Sequence, residues 1–132
     1  MQGTANERFI EMSLPADRDM MIVVRLTASG VLARSGLTLD ALGDLKIAVE
    51  EACTCLISQI SGCGRLDLRF ELGESATRID CRCAECCTMG EAMNPSEIEV
   101  VGCILESMVD SAEISVKDGY ISNISLTAAK KC

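Results

Sequence analysis

Two stretches of strict alternation limit what this chain can become. Arg65–Leu72 reads Arg-Leu-Asp-Leu-Arg-Phe-Glu-Leu, and Thr77–Cys83 repeats the pattern with Ile79, Cys81 and Cys83 on one side and Arg78, Asp80 and Arg82 on the other. Strand side chains point alternately to opposite faces, so both segments are predicted to lie in a sheet with one face covered and one wet. Opposite charges on the wet face can pair across strands, at roughly 0.2–1 kcal/mol each.

The cover comes from helices. Leu42, Leu45, Val49, Ala52, Leu56 and Ile60 step by threes and fours, the mark of one buried helix face, with Thr38 as N-cap and Asp40 in the first turn. An earlier helix is predicted from about Asp17 to Ala33, with Met21, Val24, Ala28, Val31 and Leu32 near one stripe and Gly36 at its C′ position. A third follows Asn94-Pro95, a cap and an N1 proline, and its buried stripe is Ile98, Val101, Leu105 and Met108.

Further strands complete the pattern. Phe9–Leu14 alternates weakly and ends at Pro15. Ala112, Ile114 and Val116 alternate up to Asp118-Gly119, a two-residue hairpin turn, and Tyr120, Ile124 and Leu126 continue on the return strand. Lys130-Lys131-Cys132 reads as a frayed end. The order β-α-α-β-β-α-β-β implies one α+β domain over residues 1–132. It is expected to be a two-layer sandwich, a mixed and mostly antiparallel sheet with helices on one face. Leu66, Leu68, Phe70 and Ile79 should face the helices over Leu42–Ile60 and Ile98–Met108.

Composition narrows the function. A net charge of −8 with 2% aromatic residues offers little to nucleic acid or to anionic membranes. No apolar run approaches the roughly 20 residues of a membrane helix, and the start lacks the pattern of a secretory signal, so a cytoplasmic protein is expected. Histidine is absent, which removes the commonest general base and a favoured metal ligand. The nine cysteines are odd in number and are expected to be reduced, many of them as small buried apolar residues.

Several stretches resemble the anti-sigma-factor serine kinases, within the wider family of histidine-kinase-like ATPases. Asp44-Leu-Lys-Ile-Ala-Val-Glu-Glu-Ala-Cys-Thr54 looks like their N-box helix, and Arg25-Leu-Thr-Ala-Ser-Gly30 resembles their first helix. Ile104-Leu-Glu-Ser-Met-Val-Asp110, followed by a hairpin, resembles the segment after their glycine-rich box. The similarity runs from about Phe9 to Lys130. It implies a protein that binds Mg-ATP, phosphorylates a serine on an anti-anti-sigma antagonist, and holds a sigma factor when that antagonist is phosphorylated. It places Glu51 at the general-base position and Arg25, with Arg18 at the helix start, at the partner-binding surface. A homodimer is also expected from it.

The pattern departs from the family at the nucleotide. One helical turn after Glu51, on the same face, the resemblance implies an asparagine that coordinates Mg²⁺; this chain has Cys55, and a thiol is a poor ligand for an ion that prefers oxygen. The adenine-reading Asp-x-Gly aligns with Glu85-Cys86-Cys87, where Cys87 puts a side chain in place of a close backbone approach. Thr88–Glu99 is short for a phosphate lid, and Glu99-Val-Val101 occupies the glycine box. The ATP site is therefore expected to be closed, with no cofactor bound and a function in docking a sigma factor or an anti-anti-sigma antagonist.

Alternatives stand beside this reading. An active serine kinase would use Mg-ATP and Glu51; otherwise Glu51 is a solvated helix carboxylate, and Glu85 a loop residue. Arg25 is equally readable as a plain surface charge. A metal or redox sensor would draw on Cys81, Cys83, Cys86 and Cys87. Packing is preferred for Cys81 and Cys83, which fall on the inward strand face, no metal site is assigned, and Cys86 and Cys87 stay open.

Overall fold

The computed structural model describes residues 8–130. Strand β1 (Arg8–Pro15) leads through a short 3-10 turn into helix α1 (Met21–Leu32), and helix α2 (Leu39–Ser58) follows. Strands β2 (Arg65–Leu72) and β3 (Ala76–Cys83) form a hairpin, helix α3 (Pro95–Glu106) comes next, and strands β4 (Ser111–Lys117) and β5 (Tyr120–Ala129) close the chain. The five strands form one sheet in the order β1-β2-β3-β5-β4. Every neighbouring pair is antiparallel, so the expected mixed sheet is corrected to a wholly antiparallel one.

The two alternating strands behave as their pattern dictates. Leu66, Leu68, Phe70 and Leu72 are buried from β2, and Thr77, Ile79 and Cys81 from β3. On the wet face Asp67 stands opposite Arg82 and Glu11 opposite Arg69. Both pairs close as salt bridges, at 3.6 Å and 3.2 Å. Arg78 turns instead to Asp80 two residues along its own strand, 3.3 Å away. Arg69 also lies over the Phe9 ring, 3.9 Å from its centre.

Helix α2 supplies most of the cover. Its Thr38 cap accepts a hydrogen bond from the Ala41 N–H, and Leu45, Ala48, Val49, Ala52, Cys53 and Leu56 are fully buried. At its C-terminal end the buried Gln59 performs a task no periodicity announces. Ile121 lies beyond the last β3–β5 pair, Arg82 with Asn123. Gln59 Nε2 donates to the Ile121 carbonyl at 2.9 Å, and Ile121 N–H donates to Gln59 Oε1 at 2.7 Å. The side-chain amide thus stands in for the strand that has ended, and both buried backbone groups keep a partner.

Three local expectations are corrected. Helix α1 ends at Leu32, so Gly36, at φ +79, is the left-handed residue of the connection to α2 and not a C′ residue. In α3 only Leu105 is fully buried, because this helix sits over the β4 edge, with Ile98, Val101 and Met108 only partly covered. Val116 is exposed, since a register shift between Ser115 and Val116 breaks the alternation just before the turn. That turn does form as predicted, with positive φ at Asp118 and Gly119. Asn94 and Glu97 complete a capping box. Lys131 and Cys132 of the expected frayed end lie outside the described residues.

Two substitutions test this packing by urea denaturation. Leu45→Ala should cost about 2–5 kcal/mol, as for a buried leucine. Gln59→Leu keeps the volume but orphans both Ile121 groups, and should cost at least about 2 kcal/mol at roughly 1–3 for each. A change within experimental error for either would contradict the assigned core.

Candidate functional site

The residues singled out by the sequence fall on three sides of α2. The first side faces α1. Arg25 Nη2 lies 2.8 Å from Glu50 Oε1, an ion pair that ties the two helices at their surface. On the same two helices Ile22, Leu26 and Ile47 are 50%, 66% and 53% exposed. Arg25 is thus neither a free charge nor buried. An exposed pair of this kind contributes little to stability, so its guanidinium can be drawn to another carboxylate at small cost. Arg18 is exposed in the 3-10 turn before α1. It lines a groove of about 460 Å³ with Pro15, Ile57 and Cys63.

The second side carries Glu51 and Cys55, one turn apart. Glu51 is exposed, whereas Cys55 is buried at 8% exposure. Cys55 Sγ sits 3.5 Å from the thioether sulfur of Met93, in the segment that precedes α3. Burial, with a smaller contribution from the Glu51 carboxylate, pushes the Cys55 thiol up to about 11. The group at the position where the resemblance implies a Mg²⁺ ligand is a neutral thiol packed on a thioether.

The third side is the loop after β3, where the backbone is stitched to the end of α2. Ser61 N–H donates to Thr88 O at 2.8 Å, Thr88 N–H to Cys63 O at 3.0 Å, and Gly90 N–H to Gln59 O at 2.7 Å. Tyr120 adds its hydroxyl to the Gly90 carbonyl. A side chain at residue 90 would bring its Cβ within 2.8 Å of Ser61 Cβ, so this approach requires glycine. Glu85 and Cys86 are exposed on the turn, and Cys87 is half-buried with its sulfur on the Arg65 backbone. The structure therefore gathers Glu51, Cys55 and Met93 in one place and Glu85 to Cys87 in the adjoining turn. Arg25 and Arg18 belong to a different surface.

The sequence reading overlooked Met93 and Gln59. Met93 lies in no periodic stretch, Gln59 is a polar residue at the end of one, and nothing in a lone polar or sulfur side chain marks its partner. Cys81 and Cys83 do fall on the inward face, Cys81 fully buried beside Cys53. The hydrogen bond with Cys53, reinforced by burial, raises the Cys81 thiol well above the ordinary range. Among the described residues no group of three or more His, Cys, Asp or Glu side chains is arranged to hold a metal ion.

Thiol labelling reads this arrangement directly. A thiol with a pKa of about 11 is ionised in about one molecule in a thousand at pH 8. Iodoacetamide at pH 8 should modify the exposed Cys63, Cys86 and Cys103 well before Cys55 and Cys81, with Cys55 gaining reactivity as pH rises. Mass spectrometry showing Cys55 modified as fast as Cys86 would contradict its placement.

No family model matches the sequence. Serine-protein kinase RsbW of Bacillus velezensis is 40% identical over 74 residues, 54% of this chain and 46% of that protein. The protein of the same name from Bacillus subtilis is 39% identical over 77 residues, 56% of this chain and 48% of its own. In Staphylococcus aureus the match is 38% over 79 residues, 57% and 50%. The chain spans about half the length of the curated relatives it matches. Among solved structures, the crystal structure of the RsbU and RsbW domains of Rv1364c from Mycobacterium tuberculosis superposes with a TM-score of 0.68. It covers 95% of this chain and 34% of that one at 14% identity, a likeness of fold alone. Over about half its length this chain is similar in sequence to the RsbW serine-protein kinases, and over nearly all of it the fold matches that of the solved structure.

Proposed function

We propose that this protein is a partner-switching regulator that docks a protein, a sigma factor or an anti-anti-sigma antagonist, without binding Mg-ATP or transferring phosphate. The contact between Cys55 and Met93 carries the reading. Mg²⁺ takes hard oxygen ligands in a near-ideal octahedron, and a neutral thiol against a thioether offers it none. The donor set does not fit the ion, so no phosphoryl step is drawn through it. The stitched loop adds to this, since Thr88 and Gly90 spend their backbone groups on the end of α2. A loop held there is not free to wrap phosphates.

Docking is supported on the α1 side. Ile22, Leu26 and Ile47 are exposed apolar side chains on the two helices that Arg25 and Glu50 tie together, and the planar fork of Arg25 is suited to a partner's carboxylate. A net charge of −8 fits a protein partner with a basic patch better than a polyanion. No helix among the described residues is long and apolar enough to cross a membrane.

Capture of purified candidate sigma factors and antagonists by wild type, Arg25→Ala, Leu26→Asp and Glu51→Ala tests the proposal. Leu26→Asp probes the surface without touching the ion pair. Binding should weaken at least about tenfold, or about 1.4 kcal/mol, in the first two variants and persist in Glu51→Ala. If only Glu51→Ala changes the outcome, or an antagonist gains phosphate in a Glu51-dependent manner, the protein is a kinase and the proposal fails.

A further inference from the structure

The turn after β3 holds two cysteines that neither docking nor the buried core uses as a pair. Ala84 and Cys87 close a tight turn, with Cys87 N–H donating to Ala84 O at 3.2 Å. This folds Cys87 back on the start of β2. Its sulfur accepts from Arg65 N–H at 3.4 Å, and its thiol donates to Arg65 O at 3.3 Å. The same Arg65 carbonyl accepts from Ala84 N–H at 2.9 Å. Cys83 stands directly opposite Leu66, the next residue of β2, with its sulfur pointing inward toward the Leu56 carbonyl. The two cysteines therefore flank the start of β2, Cys87 on the Arg65 backbone and Cys83 opposite Leu66.

Cys83 and Cys87 are both half-buried, and Cys86 between them is exposed. Gly64 leaves the room: a Cβ there would come within 3.0 Å of the Cys87 sulfur. Burial, with the neighbouring Cys87 as the next cause, pushes the Cys83 thiol up to about 12, so this sulfur rests protonated and waits for a changed partner.

We propose that Cys83 and Cys87 are a reversible thiol–disulfide pair that responds to hydroperoxides. The Cys87 thiolate attacks the outer peroxide oxygen, the O–O bond breaks, and the leaving alkoxide or hydroxide takes up a proton to give an alcohol or water. Cys87 is then a sulfenic acid. The Cys83 sulfur gives up its proton and attacks the Cys87 sulfur, the S–O bond breaks, and hydroxide leaves as water. Two thiols and one hydroperoxide become one disulfide, one alcohol or water, and one further water. Closing the bond brings the sulfurs to about 2.05 Å, and removes the thiol proton that Cys87 gives to Arg65. Thiol reductants reverse it by exchange.

The whole chain, reduced and desalted, is treated with limiting hydrogen peroxide and cut by a protease that cleaves after glutamate. Glu85 lies between the two cysteines, so a bridge joins two otherwise separate peptides. A linked pair containing Cys83 and Cys87 is expected, with a loss of two free thiols, release by dithiothreitol, and the same result in Cys86→Ser. Cys87→Ser and Cys83→Ser should lose the linked pair. Circular dichroism confirms that each variant is folded, and Cys87→Ser alone decides the matter if Cys83→Ser is not. A bridge that survives in folded Cys87→Ser, a bridge between two copies of the chain, or oxidation confined to Cys86 would overturn the proposal.

Discussion

Everything in this molecule hangs on the burial of one helix. Helix α2 lies over β3 and β5 at the middle of the sheet, and its Leu45, Ala48, Val49, Ala52 and Leu56 are completely removed from water. At roughly 1.5–3 kcal/mol for each large apolar side chain, that stripe is the main force holding the two layers together. Because a helix has only one orientation once its apolar stripe is fixed, burial also decides where its other residues point. Glu50 turns to α1, while Glu51 lies on the outer surface and Cys55 meets the segment before α3. The site geometry is a consequence of the core.

The end of the same helix shows how polar groups are accommodated at the boundary of the sheet. β3 leaves β5 after Arg82, and Gln59 takes over its hydrogen-bonding role at Ile121. The Gln59 carbonyl accepts from Gly90 N–H, and Ser61 and Cys63 just beyond it pair with the backbone of Thr88. Sheet end, helix end and loop are thus one hydrogen-bonded unit. The position that the resemblance associates with nucleotide sits against that unit, and its sulfur atoms are packed on one another.

Much of the fold was legible because it rests on periodicity. Period two in Arg65–Leu72 and period three-to-four in Leu42–Ile60 each describe a buried face, and both faces are buried. The charged face was legible in kind, and Glu11–Arg69 and Asp67–Arg82 form directly across strands. Arg78 was not, since its choice of Asp80 depends on side-chain reach and not on register. Val116 escaped the alternation through a bulge that leaves no mark in the residue types. The shallow burial of α3 was hidden for another reason: an apolar stripe reports that a helix has a face, not how wide the sheet beneath it is.

The candidate site was legible only as a set of substitutions. Reading Cys55 in place of an oxygen ligand gives the chemistry, but its partner Met93 is distant in sequence and the contact between them is purely tertiary. The most direct measurement of the central claim is isothermal titration of the whole reduced chain with Mg-ATP. The account predicts no saturable heat up to millimolar nucleotide, in wild type and in Glu51→Ala alike. A saturable, near-stoichiometric isotherm that requires Mg²⁺ would contradict it, and would show that the Cys55–Met93 contact opens to admit the nucleotide.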